Sequence, residues 1–155
     1  MRGKRSKKRL IEPDSVYKSK VISRMINILM LGGKRSTAEG ILYAVLKKVS
    51  EDNKEAAKFF EEAVKNVMPI QEVRSRRVGG ATYQVPMPLK HDRSEALALR
   101  WIIGAARRKS GKSMEERLYE EIKNAHEGMG DAIKKREDTH KMAEANRAFA
   151  HFARV

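Results

Sequence analysis

The stretch VRSRRVGGATYQVP, residues 73–86, holds the side chains best suited to chemistry with a partner. Arg74, Arg76 and Arg77 stand on one side of Gly79-Gly80 with no acidic residue among them. Guanidinium groups pair with phosphate through two parallel N–H bonds and stack on flat rings. Three of them in four positions therefore suit a polyanion that also carries bases. Catalytic arrangements are not expected. His91, His126, His140 and His151 have no helical metal spacing, and His126-Glu127 runs into Gly-Met-Gly instead of a zinc-protease helix. Gly128-Met129-Gly130 is too short for a dinucleotide fingerprint, and Gly32-Gly33-Lys34 lacks the Walker spacing. Neither a cofactor nor a metal is expected.

Charge points the same way. The 155 residues include 34 Lys+Arg against 20 Asp+Glu, a net of +14. Uncompensated like charge opposes compaction, so a polyanionic partner is the simplest reason for it. The excess is zoned. Residues 1–48 carry 13 basic and 3 acidic side chains, and 74–112 carry 10 and 2, whereas 51–73 carry 3 and 6 and 115–131 carry 2 and 6. A surface kept soluble by charge alone interleaves the signs; this pattern predicts a basic binding face. Six of the first nine residues are cations, Arg2, Lys4, Arg5, Lys7, Lys8 and Arg9. Residues 1–12 thus read as an arm that repels itself alone and orders against phosphates. With no cysteine, disulfides, thiolate metal sites and thiol nucleophiles are excluded. No apolar stretch follows the basic start and no 18 apolar residues run together, so a soluble intracellular protein with no membrane association is expected.

Positioning these cations requires elements, and the periodicity supplies a mainly α fold: a six-helix, bundle-like body with a protruding two-stranded β-hairpin. Val21, Ile22, Met25, Ile26 and Leu29 mark a first helix, ended by Gly32-Gly33. Ser36/Glu39, Asp52/Glu55, Asp92/Glu95 and Ser113/Glu116 read as capping boxes opening the next four. Their stripes are Ile41 to Val49, Ala56 to Val67, Ala96 to Ala106 and Leu118 to Ala125. Asp131 caps a weaker sixth, through Ile133, Met142, Ala143 and Phe149, in a C-terminal segment 131–155 whose far end projects or docks on something external. Between helices three and four, Tyr83, Val85 and Met87 alternate with Thr82, Gln84 and Pro86. Gly79-Gly80 suits a type I′ turn, and Pro86 and Pro88 deny two ladder donors, so 72–89 should be a lone ribbon. A lone hairpin is marginal in water and needs outside support. Arg74 and Arg76 share one face and Arg77 the other.

VRSRRVGGATYQVP, with EEAVKNVMPIQEV before it and RSEALALRWIIGAAR after it, resembles the bacterial small-subunit ribosomal protein seven family. The resemblance extends from LIEPDSVYKSK and LGGKR to KKREDTHKMAEANRAFAHF, nearly the whole chain. It implies one ribosomal RNA-binding domain, 1–155, that is a primary binder of the three-prime major domain and helps nucleate the subunit head. It implies a position near exit-site transfer RNA and messenger RNA, beside small-subunit ribosomal proteins nine and eleven, on cytoplasmic ribosomes. Carried onto this sequence, RNA contacts fall on Arg2 to Arg9, Lys34, Arg35, Arg74, Arg76, Arg77, Arg107, Arg108, Lys109 and Lys112. Tyr83 is implied for stacking and Gln84 for hydrogen bonding, with Arg147 and Arg154 as weaker contacts. A DNA-binding architectural protein using the ribbon in a groove is the alternative, and an RNA-modifying enzyme a third that lacks a catalytic motif.

Overall fold

A computed structural model describes residue 3 and residues 10–154. Six α-helices and a hairpin follow one another as α1 (Lys20–Leu29), α2 (Arg35–Val49), α3 (Asn53–Val67), β1 (Gln71–Val78), β2 (Ala81–Pro88), α4 (His91–Arg108), α5 (Met114–His126) and α6 (Asp131–Ala145). A 3-10 helix, Arg147–Arg154, ends the described chain and is called the terminal helix below. The expected mainly α architecture with a two-stranded antiparallel ribbon is what the chain forms.

The apolar stripes bury as their spacing demands. Ile22, Met25 and Ile26 of α1, Leu42 and Leu46 of α2, Phe60 of α3, Leu99 and Ile102 of α4, and Leu118 and Ile122 of α5 are all sealed from solvent in one core. Each such side chain stabilises the fold by about 1.5–3 kcal/mol relative to exposure. Charged faces are left outside, which is how a small helical domain can display so many cations.

Helix starts depart from the capping-box pattern. Ser113 accepts the Glu116 N–H at 3.3 Å and Asp52 accepts the Lys54 N–H at 3.1 Å. Glu55 takes the Ser50 hydroxyl at 3.2 Å instead of the Asp52 amide, so that start keeps a cap bond and not the box, and at the other two starts no side-chain cap forms. α2 begins at Arg35, so Ser36 lies inside it, and Glu39 pairs with Arg35 at 2.7 Å. α4 begins at His91, so Asp92 is in its first turn, while Glu95 turns into the protein and takes Arg24 at 2.7 Å. In both cases a cation offered the carboxylate a stronger partner than a backbone amide. Gly130, not Asp131, precedes α6, with φ of 96°, and a carboxylate from another helix, Glu121, accepts the Ala132 N–H at 2.9 Å.

The N-terminal segment is fixed by a residue whose role the sequence did not announce. Asp14 is buried and accepts the N–H groups of Val16 and Tyr17, both at 3.0 Å, and the Tyr43 hydroxyl at 2.8 Å. Burial, and then this bond to a carboxylate, push the Tyr43 phenol up to about 12. The root of the basic arm is thereby tied to α2.

In the ribbon Arg76 faces Tyr83 and Val78 faces Ala81, leaving Gly79 and Gly80 as a two-residue turn with φ of 58° and 91°. Both values are left-handed, as a type I′ turn requires. Its base is anchored to the body: Val85 is fully buried, Ser94 Oγ donates to the Pro69 carbonyl at 2.6 Å, and the Leu89 N–H donates to the Ile70 carbonyl at 2.9 Å. The Ile70 N–H donates to His140 Nε2 at 3.1 Å, so that ring nitrogen must be unprotonated. Burial, then the nearby Arg136 cation, hold His140 below its ordinary value of 6.5. With the folded pKa depressed, this anchor is intact above pH of about 6.5 and is lost progressively as pH falls toward the folded value. Thermal melts should therefore show His140→Gln losing less stability on acidification than the parent chain. Equal acid sensitivity would remove His140 from this role.

Candidate nucleic-acid interface

The ribbon offers its cations unequally. Arg77, beside the turn, is exposed and has no hydrogen bond or ion pair among the described residues. Arg74 is also exposed but leans on Glu72, with Nη2 2.7 Å from Oε1, and Arg93 approaches the other oxygen of that carboxylate at 3.3 Å. Glu72 is only 12% exposed, and Arg93 stays on its other oxygen if a phosphate draws Arg74 away.

Arg76 and Tyr83 are engaged by the chain itself. Arg76 Nη1 donates to the Phe152 carbonyl at 3.1 Å. The Tyr83 ring lies 5.3 Å from that of Phe149 and 4.9 Å from that of Phe152. The far end of the chain therefore neither continues α6 nor projects: it breaks at Asn146, and the terminal helix packs its two phenyl rings on the Tyr83 face of the ribbon. Rings at 4.5–7 Å spacing stabilise beyond their buried area, which explains why Phe149 and Phe152 turn inward. This docking adds the outside support that a lone hairpin needs. Gln84 Nε2 donates to Ser75 Oγ at 2.8 Å on the opposite face.

The cations outside the ribbon divide between those left exposed and those that hold the fold. Lys34 is the exposed residue before α2. Arg35, paired with Glu39, also reaches Asn27 at 3.3 Å. Arg107 donates to the Leu29 carbonyl at 3.1 Å, satisfying an open acceptor at the end of α1. Arg108 is exposed, 4.0 Å from Asp131. Lys109 Nζ lies 2.9 Å from Oε2 of Glu121, a carboxylate with no solvent exposure. Lys112 is bonded to Glu120, which raises the lysine pKa and lowers that of the carboxyl. Arg2, Lys4, Arg5, Lys7, Lys8 and Arg9 lie outside the described residues. Arg147 is exposed and meets Glu144 at 3.3 Å.

Two cations that the sequence reading did not single out complete the surface. Arg100 on α4 and Lys135 on α6 are exposed, and neither side chain has a partner among the described residues. Helical phase could have found Arg100, which sits opposite the buried stripe of α4, whereas Lys135 lies on the flank of the α6 stripe, one turn before Thr139. The arrangement can pair with several phosphates and present flat groups to bases, but sets no nucleophile beside a base. Among the described residues no group of three His, Cys, Asp or Glu is placed to hold a metal ion. No helix of the described chain is long and apolar enough to cross a membrane.

Residues 1–147 match the family described as ribosomal protein S7p/S5e. The chain is 54% identical over 146 residues to small ribosomal subunit protein uS7 of Pelotomaculum thermopropionicum, covering 94% of each. It is 51% identical over 153 residues to the protein of that name from Fervidobacterium nodosum, covering 98% of this chain and 99% of that one. With the protein of that name from Acidithiobacillus ferrooxidans it shares 53% over 146 residues, 94% of each.

Proposed function

The chain belongs to the ribosomal protein S7p/S5e family, and on that premise we propose how it serves the small ribosomal subunit: it anchors the three-prime major domain of the ribosomal RNA and helps nucleate the head. Its role is structural and not enzymatic, as its family membership establishes. The whole chain acts as one RNA-binding domain. Cations displace condensed counterions from the phosphates, while the ribbon and loops fix orientation in a folded RNA junction. The contacts are those of the arm (Arg2, Lys4, Arg5, Lys7, Lys8, Arg9), Lys34, Arg35, Arg74, Arg76, Arg77, Tyr83, Gln84, Arg107, Arg108, Lys109 and Lys112. Bound there, it lies near exit-site transfer RNA and messenger RNA and beside small-subunit ribosomal proteins nine and eleven, on ribosomes in the bacterial cytoplasm.

One observation carries this reading: a ribbon anchored at its base ends in Arg77, an exposed cation without an internal partner, on a chain of net charge +14. Replacing Arg74 and Arg77 together by Ala should weaken binding to a small-subunit rRNA fragment and reduce its salt slope by about two. Stability should change by no more than about 0.5 kcal/mol, because both side chains are at the surface. Filter binding and urea unfolding on the same preparation check both halves. Unchanged affinity would take the ribbon out of the interface.

A further inference from the structure

Trp101 is the chain's one tryptophan and is half-buried on α4. It lines two neighbouring hollows of opposite character. On one side is a crevice of about 180 Å³, shared with Arg100, Gly104, Arg108 and Lys135. Its three cations are Arg100 and Lys135, both without an internal partner, and Arg108, whose carboxylate is 4.0 Å away. On the other side is a groove of about 450 Å³ between the ribbon, α4 and α6, lined by Val73, Leu97 and Met142, by Glu72 and Thr139, and by the amides of Gln84 and Asn146. The amide nitrogens are already used, Gln84 on Ser75 Oγ and Asn146 on the Met142 carbonyl, both at 2.8 Å. Their two oxygens have no partner among the described residues and can accept hydrogen bonds.

A nucleotide has the same two halves: an anionic phosphate and a flat, largely apolar base with amino donors on its edge. We propose that this composite site takes one unpaired ribonucleotide of the ribosomal RNA, its phosphate on Arg100, Arg108 and Lys135 and its base in the groove against Trp101. The inference rests on the ribosomal RNA reading and adds a specific subsite to it. Charge complementarity selects the polyanion at the crevice, where the phosphate sits, and the Glu72 carboxylate in the groove is already paired with Arg74 and Arg93. The groove's volume falls within the range of about 300–1,000 Å³ typical of small-ligand sites. A base held in a duplex cannot enter it, so the site reads a splayed nucleotide, the form in which proteins usually recognise RNA sequence. Base stacking on aromatic side chains is tolerant of base identity, and the two amide oxygens favour bases with exocyclic amino groups.

Trp101 reports on the site directly. Small-subunit rRNA transcript and a single-stranded oligoribonucleotide of about eight nucleotides should both quench its emission, whereas an RNA duplex of equal length should not. The double replacement Arg100→Ala/Lys135→Ala, at two exposed positions, should move the quenching midpoint to roughly tenfold higher RNA and lower the salt slope by about two. Circular dichroism checks that this variant is folded. Transcript retained on a filter with Trp101 emission unchanged, or with the variant binding as tightly as the parent, overturns this inference and leaves the ribosomal RNA reading intact. Failure to retain the transcript at all overturns that reading and this inference with it.

Discussion

Raising salt from about 50 to about 200 mM is expected to weaken binding to a small-subunit rRNA fragment roughly a thousandfold, given about six neutralised phosphates. The size of the effect follows from counterion release, since each cation seated on a phosphate frees bound counterions that high salt drives back. The candidates are available in number: Lys34, Arg74, Arg77, Arg100, Arg108, Lys112 and Lys135 are all exposed, before the arm is included. Lys112 holds a surface carboxylate, Glu120, 39% exposed, and such a pair is screened by the same salt. A plot of log affinity against log salt measures the number engaged. A flat response would mean that shape and hydrogen bonding, not charge, carry the interaction.

Lys109→Ala should destabilise the fold by about 3 kcal/mol, the low end of what removing one partner of a buried pair costs. Glu121 is wholly enclosed on α5, and its two oxygens do different work. Oε1 accepts the Ala132 N–H and so caps α6, while Oε2 faces the Lys109 ammonium at 2.9 Å, off hydrogen-bonding directions, so that the link is one of charge. Gly130 makes room for this carboxylate: a Cβ there would come 3.0 Å from Oε1, and its φ of 96° disfavours any other residue. Without Lys109 the carboxylate is a buried charge with no counterion. Adding Glu121→Gln keeps an oxygen for Ala132 and removes the charge, so the double variant should recover most of the loss in urea unfolding. A stable Lys109→Ala chain would mean that Glu121 does not depend on this cation.

The contrast between Lys109 and Arg77 marks how far the sequence was legible. Helices followed from apolar residues at three- and four-residue spacing because burying a stripe dominates their stability, and Ile22, Leu42, Phe60, Leu99 and Ile122 all reach the core. The ribbon followed from Gly79-Gly80 because few residue pairs accept two left-handed φ angles. Those are local constraints. What was not legible depends on partners distant in sequence. Glu95 has the spacing of a capping residue, but its carboxylate goes to Arg24, 71 positions away. The sequence did not show that Lys109 balances Glu121 or that Arg107 closes α1. Tyr83 reads as an open stacking platform, and Phe149 and Phe152 cover it. Arg77, by contrast, has no internal side-chain partner among the described residues.

The surplus of positive side chains is proposed to hold folded ribosomal RNA. The most direct measurement is retention of a three-prime major domain transcript by the folded chain at about 150 mM salt, with duplex DNA of matched charge as competitor. The account predicts that the transcript is bound and that the duplex fails to displace it. A chain that is folded by circular dichroism yet ignores the transcript, or surrenders it to the duplex, would contradict it.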